Sequence, residues 1–263
     1  MKNDILSHLP PDHPWGQNLY WYETIASTNA AAKDMAKNGA THGTVLLADS
    51  QSAGRGRLGR SFCSQAGVGI YMSVILHPEC APGELMHLTC AVGVAVCDAI
   101  EEALGLRPGI KWINDLVAGS KKLGGILTEL VMDGGLVRSA VVGIGINCNQ
   151  KDADFPPALQ SIATSLSAFT GEYIDRAKLA AALICHLEKM DRNLHHRQAI
   201  MEQYRKDCIT LGKEITVIQG DVRSPGRAVG IADDGSLMVQ YADGAVSTVN
   251  AGEVSVRGLW GYT

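Results

Sequence analysis

Short apolar segments separated by glycine and polar residues dominate the first third of the chain. Between two of them, residues 28–39 are rich in alanine, with Ser27 or Thr28 near the N-cap position and Gly39 at the end, which predicts a short helix. The apolar segments themselves carry β-branched and aromatic residues, and the last of them alternates. We therefore predict three strands, at 18–27, 43–50 and 67–76.

The middle of the chain begins with a longer helical pattern. Residues 84–105 place apolar side chains at helical spacing, and Gly105 closes the segment. The residues that follow predict a strand, a turn and two more strands, at 110–119, 121–135 and 136–149. A further helical stretch is predicted from about Arg176 to Leu211.

The composition changes near Gly212, where short strand-like segments alternate with Asp-Gly turns. We predict a catalytic domain at 1–211 and a small C-terminal domain at 212–263. The fold class is α+β: a mixed, largely antiparallel sheet packed with helices, followed by a small all-β, barrel-like domain.

Composition and charge exclude several classes of protein. The chain has 263 residues, 46% of them hydrophobic, and a net charge of −4, which argues against general affinity for nucleic acid. No apolar run approaches the roughly 20 residues of a membrane span, and residues 1–16 lack the apolar core of a signal peptide. Seven cysteines without Cys-x-x-Cys or zinc spacing predict a reducing, cytoplasmic protein without a structural metal.

One segment, 52–62, concentrates arginine and glycine in a loop. It satisfies Gly-x-Gly-x-x-Gly and nearly matches a P-loop, but both motifs must open a helix, and the strand at 67–76 leaves no room for one. Glycines let a backbone approach a ligand, and arginine forks bind carboxylate and phosphate. The segment therefore predicts a small-anion site, against the plainer alternative of a solvated basic loop. Its members are Gly54, Arg55, Gly56, Arg57, Gly59 and Arg60.

At these residues the chain resembles the biotin protein ligases, whose signature is Gly-Arg-Gly-Arg-x-Gly-Arg. Four further blocks are similar to that family in the family's order, and two weaker ones follow, so the resemblance runs from about Asn18 to Arg257. The four blocks are STN (27–29), KWIND (111–115), KKLGGIL (121–127) and GIGINCN (143–149). The two weaker blocks are ATSL (163–166) and GEVSVR (252–257).

The resemblance implies a two-step reaction in which biotin attacks the α-phosphorus of ATP and a carrier-protein lysine then displaces AMP. By resemblance Lys122, Arg57 and Asp115 are the catalytic residues, and Lys122 contacts both the biotin carboxylate and the α-phosphate. Arg55 and Arg57 close over the bound acid and phosphate. The implied biotin-binding residues are Ser27, Thr28, Asn29, Gln51, Gly54, Arg55, Gly56, Arg57 and Lys122.

The resemblance also implies a nucleotide site made by Arg57, Arg60, Phe62, Asn114 and Asn147. Asp115 would hold Mg²⁺, the implied metal. Glu253 and Arg257 of the last block would lie near the nucleotide. The chain departs from the family at Phe62, where tryptophan is usual, and at Ile113, where proline is usual.

Two alternatives stay open beside the ligase. A lipoate ligase or octanoyltransferase shares the family fold, although the Arg-Gly-Arg block with KWIND favours biotin. A biotin-responsive DNA-binding repressor needs an N-terminal three-helix module, for which the roughly 18 residues before the first strand are too few, so we expect no nucleic-acid partner. The implied protein partner is the apo biotin carboxyl carrier protein of a carboxylase. A homodimer is a further expectation, and no membrane partner is expected.

Overall fold

The computed structural model describes residues 1–78, 80–250 and 253–256. Its larger sheet has seven strands, β1 (Leu19–Ile25), β2 (Thr44–Gln51), β3 (Gly69–Leu76), β4 (Gly109–Lys111), β5 (Asp115–Ala118), β6 (Lys121–Asp133) and β7 (Leu136–Asn147). In space they run β1-β2-β3-β7-β6-β5-β4. The ends of the last sequence block, Gly252 and Arg257, lie outside the described residues.

The larger sheet is mixed but mostly antiparallel, as predicted. Only its first pair, β1 with β2, is parallel among the described strands, because a helix connects the two and brings the chain back in the same direction. Strands β6 and β7 form a long central hairpin that pairs with β3 on one side and with β5 on the other. The sheet therefore presents its longest strands at its centre.

Six α-helices occur in the described residues: α1 (Lys2–His8), α2 (Thr28–Lys37), α3 (Leu88–Leu104), α4 (Leu166–Thr170), α5 (Arg176–Arg192) and α6 (Arg197–Asp207). Ser27 caps α2, with its hydroxyl accepting from the Ala30 amide, and Gly105 ends α3 in the left-handed conformation at φ +66°. Both ends were predicted.

Several details differ from the predictions, among them the short helix α4, which was not predicted. The 84–105 segment begins with a 3₁₀ turn at Pro82–Leu85, and the 176–211 stretch breaks at Asn193–His196 into two helices. The predicted strand at 110–119 is split into β4 and β5 by the turn at 112–114. Helix α1 was missed, because its seven residues bury little more than Ile5 and carry a weak apolar pattern.

The two faces of the large sheet differ in what covers them. Alternate residues of the central strands, such as Val142 and Ile144, pack with α3 and α5 in the main core. The residues between them point to the opposite face of the sheet, where Val141 packs with Ala32 and Ala36 of α2. Helix α2 covers only part of this second face, and the uncovered part lies over the centre of the sheet.

Helix α3 is the buried core helix. The segment Pro82–Leu104 is long and apolar enough to cross a membrane by composition, which the sequence pattern had not indicated. However, 72% of the most apolar 18-residue stretch of this segment is buried inside the protein. Burial in a protein core explains its composition without a bilayer.

The residues after Gly212 form a second sheet of five antiparallel strands, β8 (Glu214–Gln219), β9 (Val222–Ile231), β10 (Leu237–Gln240), β11 (Val246–Val249) and β12 (Glu253–Val256). This sheet docks on the larger part of the protein through its β9–β10 turn. The Trp112 indole donates to the Gly235 carbonyl at 2.8 Å, and Arg205 donates to the Ile231 carbonyl, also at 2.8 Å. The small sheet thus holds the 112–114 turn in place.

Candidate functional site

The uncovered part of the second sheet face is the floor of a cavity with about 920 Å³ of empty space, part of it open to solvent. Its polar lining comes from segments far apart in sequence: Ser27, Thr28, Asn29, Gln51, Arg55, Arg57, Arg60, Ser61, Lys111, Asn114, Asp115, Lys122 and Glu253. Five of the six predicted blocks and the glycine-arginine segment therefore meet in one cavity, the GIGINCN block through Gly143, Ile144 and Gly145.

Strand register explains why glycines form the floor. Asp115 pairs with Gly125, and Gly125 pairs with Gly145, so the three residues lie in one row across β5, β6 and β7. The next row along pairs Leu127 with Gly143. Residues paired across neighbouring strands point to the same face, so two glycines of β7 stand where side chains would fill the cavity.

Each of the two β7 glycines makes room for a particular side chain. A Cβ atom at Gly143 would lie 2.2 Å from the Asn29 Oδ1 atom, and one at Gly145 would lie 2.6 Å from the Phe62 ring. The Phe62 ring also meets Tyr71 edge to face, with ring centroids 6.3 Å apart. The aromatic residue at position 62 is therefore packed onto β7, although it is not the tryptophan usual in the family.

The predicted biotin-binding residues Thr28, Asn29 and Gln51 belong to one network of hydrogen bonds. The Thr28 amide and hydroxyl donate to Gln51 Oε1 at 2.8 and 3.1 Å, and Gln51 Nε2 donates to Ser64 Oγ at 2.8 Å. Ser73 Oγ lies 2.8 Å from both Thr28 Oγ1 and Asn29 Oδ1. The side chains at this end of the cavity are thus held in fixed orientations.

The glycine-arginine segment folds into a small hairpin over the cavity. The Phe62 amide donates to the Gly54 carbonyl at 2.9 Å, and the Gly56 amide donates to the Arg60 carbonyl at 2.7 Å. A single 3₁₀ turn, Arg57–Gly59, forms its tip, where Gly59 adopts φ +74°. Gly54 lies beside the cavity rather than in its lining, at a point where a Cβ atom would lie 2.4 Å from the Phe62 carbonyl.

Two of the arginines are oriented by partners across the cavity. Arg57 donates to Asn114 Oδ1 at 2.9 Å. Arg60 forms a two-pronged pair with Glu253, with both N···O distances at 2.7 Å. Glu253 comes from the small sheet, so both parts of the protein contribute to the wall.

Lys122 and Asp115 face each other at the centre of the cavity. Lys122 Nζ lies 2.6 Å from Asp115 Oδ1, and both groups sit above Gly125. The neighbouring Lys121 points away, and its Nζ donates to the Gln160 carbonyl at 3.2 Å. The prediction that only one of these two lysines serves the site agrees with this alternation.

Asn147 does not line the cavity, contrary to the predicted nucleotide contact. It is 6% exposed, its Nδ2 donates to the Thr164 carbonyl at 3.0 Å, and its Oδ1 accepts from Gln150. The side chain is used to fasten the end of β7 to the segment before α4. The sequence showed a polar residue after a glycine-rich strand, but not which backbone passes beside it.

Asp115 is the predicted metal ligand, and the donor set around it is small. Within residues 1–78, 80–250 and 253–256, no group of three or more histidine, cysteine, aspartate or glutamate side chains is placed to hold a metal ion. Magnesium is commonly bound by one or two carboxylates together with phosphate oxygens and water. Asp115 fits the arrangement with one carboxylate, in which phosphate oxygens of the nucleotide and water supply most of the ligands to the metal.

Lys111 is the site residue that the sequence interpretation missed. It begins the KWIND block, lines the cavity and is 3% exposed. Burial lowers the pKa of its ammonium group to about 8, and the nearby carboxylates of Asp115 and Glu253 offset this only in part. The sequence signal that could have identified Lys111 was its position as the first residue of the KWIND block.

Replacing Lys111 with methionine should stabilise the protein at neutral pH by about 1–3 kcal/mol. Methionine has a side chain of similar shape but carries no charge that must be buried. Below pH 8 Lys111 is protonated in both the folded and the unfolded state, so burial of its charge destabilises the folded protein to the full extent there. The cost disappears between pH 8 and about 10.4, where the unfolded lysine titrates. Urea unfolding at pH 7 and pH 10 measures this difference, and an equal or lower stability of the variant at pH 7 would contradict it.

Comparison with known proteins agrees with the geometry. Residues 21–147 match the biotin/lipoate A/B protein ligase family, and residues 210–257 match the biotin protein ligase C terminal domain. The chain is similar to the bifunctional ligase/repressor BirA of Bacillus subtilis, at 39% identity over 87% of this chain and 71% of that protein. It is also similar to the biotin--[acetyl-CoA-carboxylase] ligase of Mycobacterium tuberculosis, at 33% identity over 87% of this chain and 85% of that protein.

A solved structure shares the whole architecture. The biotin protein ligase from Aquifex aeolicus in complex with biotin and ATP superposes with a TM-score of 0.78 at 30% identity. The match covers 92% of this chain and 99% of that one. Both sheets are therefore part of the shared fold.

Proposed function

The chain belongs to the biotin/lipoate A/B protein ligase family, and on that premise we propose that this cavity joins biotin to ATP and passes the biotinyl group to a protein lysine. The protein is an ATP-dependent biotin ligase. The observation that carries the proposal is the convergence of the STN, glycine-arginine, KWIND and KKLGG segments on one glycine-floored cavity. The roles of individual residues are part of this proposal.

In the first step a carboxylate oxygen of biotin attacks the α-phosphorus of ATP, the new O–P bond forms and pyrophosphate leaves. Negative charge accumulates on the phosphoryl oxygens, so fixed positive groups supply the main stabilisation. In this proposal Lys122 lies between the biotin carboxylate and the α-phosphate, and Arg55 and Arg57 close over them. Asp115 holds Lys122 in position.

Magnesium fits this site as a companion of the nucleotide. When bound, it neutralises phosphate charge, and Asp115 would hold it together with phosphate oxygens and water. Asn114 and Phe62 face the nucleotide in this proposal, with Arg60 beside them. Ser27, Thr28, Asn29 and Gln51 bind the ureido head of biotin.

In the second step an uncharged lysine amine of the partner attacks the acyl carbon, the C–O bond to AMP breaks, and the amine loses a proton. We propose that the partner is an apo biotin carboxyl carrier protein and that the reaction takes place in the cytoplasm. The glycine-arginine hairpin lies at the mouth of the cavity, so it borders the path by which the partner's lysine reaches the acyl group.

The test is biotin-dependent exchange of labelled pyrophosphate into ATP, with lipoate and octanoate as control acids. Exchange with biotin alone supports the proposal, whereas exchange with lipoate or octanoate would assign the protein to the other branch of the family. Transfer is then measured with labelled biotin and an apo carrier domain. A carrier domain whose acceptor lysine is replaced by arginine is the matched control.

Glu253→Ala should raise the KM for ATP about threefold and leave the KM for biotin unchanged, because Arg60 loses its two-pronged partner. The effect is modest since the Arg60 side chain is 66% exposed and solvent screens the pair. Initial rates of pyrophosphate exchange at varied ATP measure it. Glu214→Ala, on an exposed position of the same small sheet, is the control and should leave both KM values unchanged.

A further inference from the structure

A polar network beneath the first block reaches from the cavity to the outer side of α2. Asn29 Nδ2 donates to Glu129 Oε2 at 3.0 Å and to the Leu127 carbonyl at 3.3 Å. Lys33 Nζ donates to Glu129 Oε1 at 2.8 Å. Glu129 and Lys33 belong to none of the residues assigned to the cavity, so the reaction as proposed leaves them without a role.

The carboxylate dictates which way the Asn29 amide points. An ionised carboxylate only accepts hydrogen bonds, and a carbonyl also only accepts, so the group facing Glu129 and Leu127 must be the NH₂. The amide oxygen then faces the other way, where it lies 2.8 Å from Ser73 Oγ and directly over Gly143. Asn29 thereby offers an acceptor at the cavity floor rather than a donor.

Lys33 keeps this arrangement stable. Burial raises the pKa of Glu129, but the hydrogen bonds from Lys33 and Asn29 and the nearby charge of Arg55 lower it by more, so the carboxyl stays ionised near neutral pH. The two side chains are partly buried, with 18% of Glu129 and 27% of Lys33 exposed. An uncharged carboxyl at this position could donate a proton and would no longer fix the amide.

We propose that Glu129, held by Lys33, is a positioning residue that locks the Asn29 amide with its oxygen toward the substrate. An acceptor at this place selects an N–H donor, and the cyclic urea of biotin carries two such donors. The proposal rests on the proposed function, because it assumes that the ureido end of biotin lies over the floor at Gly143. It assigns biotin recognition to a residue that does not touch the ligand.

The first test is Glu129→Gln, which keeps the shape but lets position 129 donate or accept. The Asn29 amide can then turn, so the KM for biotin should rise about tenfold. The kcat and the KM for ATP should stay within about twofold, because the reacting groups are untouched. Glu102→Gln is the matched control, since Glu102 pairs with His186 away from the cavity, and it should change none of these values.

A reciprocal exchange separates positioning from general structural support. N29D alone places two carboxylates against each other and should raise the KM for biotin more than E129Q does. In N29D/E129Q the glutamine amide can donate to the aspartate, so biotin binding should recover about tenfold relative to N29D. The proposal would be overturned if the increases in the KM for biotin caused by N29D and E129Q simply combined in the double variant. It would also be overturned if the KM values for biotin and ATP rose equally.

Lys33→Met provides a second variant in case E129Q folds poorly. It leaves the carboxylate in place without its counter-ion, so a smaller rise of about threefold in the KM for biotin is expected. If the wild type shows no biotin-dependent exchange, the proposed function fails. If the wild type is active and both E129Q and K33M keep the wild-type KM for biotin, only the positioning role fails.

Discussion

Lys122→Met should lower the rate of biotin-dependent pyrophosphate exchange by about 10³-fold, the largest effect expected from any single replacement in this protein. The ammonium group lies at the centre of the cavity in direct contact with Asp115, at 2.6 Å. Fixed charge aimed at a developing phosphoryl charge is worth most where water is excluded. Steady-state exchange assays at saturating biotin and ATP measure the change.

The neighbouring lysine supplies the control for this experiment. Lys121 carries the same charge one residue away, but its Nζ is directed to the Gln160 carbonyl. Lys121→Met should therefore keep the exchange rate within about twofold of the wild type. Equal losses in both variants would show that net charge near β6, rather than the position of Lys122, supports the reaction.

Gly143→Ala should raise the Kd for biotin about 100-fold, because the added methyl group takes the place of the Asn29 amide oxygen. The new Cβ atom would lie 2.2 Å from Oδ1 and 2.8 Å from Cγ of Asn29. The amide has little freedom to retreat, since it bonds to Ser73, Leu127 and Glu129. Isothermal titration of biotin into the variant measures the loss.

Two comparisons make the Gly143 result specific. Gly83 has no heavy atom within 4 Å of an added Cβ atom, so Gly83→Ala should bind biotin as the wild type does. Because the clash is with Asn29, the double variant N29A/G143A should be no less stable than N29A. A double variant that unfolds more easily than N29A would place the strain elsewhere on the sheet.

The sequence was sufficient for the fold class and for most of the cavity because its signals are local. Gly105 and Ser27 mark helix ends by their own chemistry, and strand geometry predicts that Lys121 and Lys122 point to opposite faces. Which of the two enters the cavity is set by the register shift between β5 and β6. The segments that meet in the cavity were predicted as separate blocks. Their convergence followed from the family resemblance and could not be obtained from periodicity.

What the sequence could not supply depends on partners distant along the chain. The role of Asn147 is set by the Thr164 carbonyl, and the burial of Lys111 is set by the elements packed around β4. Glu129 was not singled out in the sequence, and its role depends on Asn29 and Lys33 of α2, which lie beside it in the fold. These features depend on contacts between residues far apart in the chain, such as the 17 positions between Asn147 and Thr164.

The docking of Trp112 on Gly235 bears on how proteins of this architecture can be recombined. The small sheet supplies only Glu253 to the described cavity lining, yet it fastens the turn that carries Asn114 and Asp115. A chimera that took its small sheet from a relative would therefore inherit a foreign support under its own catalytic turn. The two parts are expected to evolve as one unit, and a successful exchange would have to move the 112–114 turn together with the sheet that holds it.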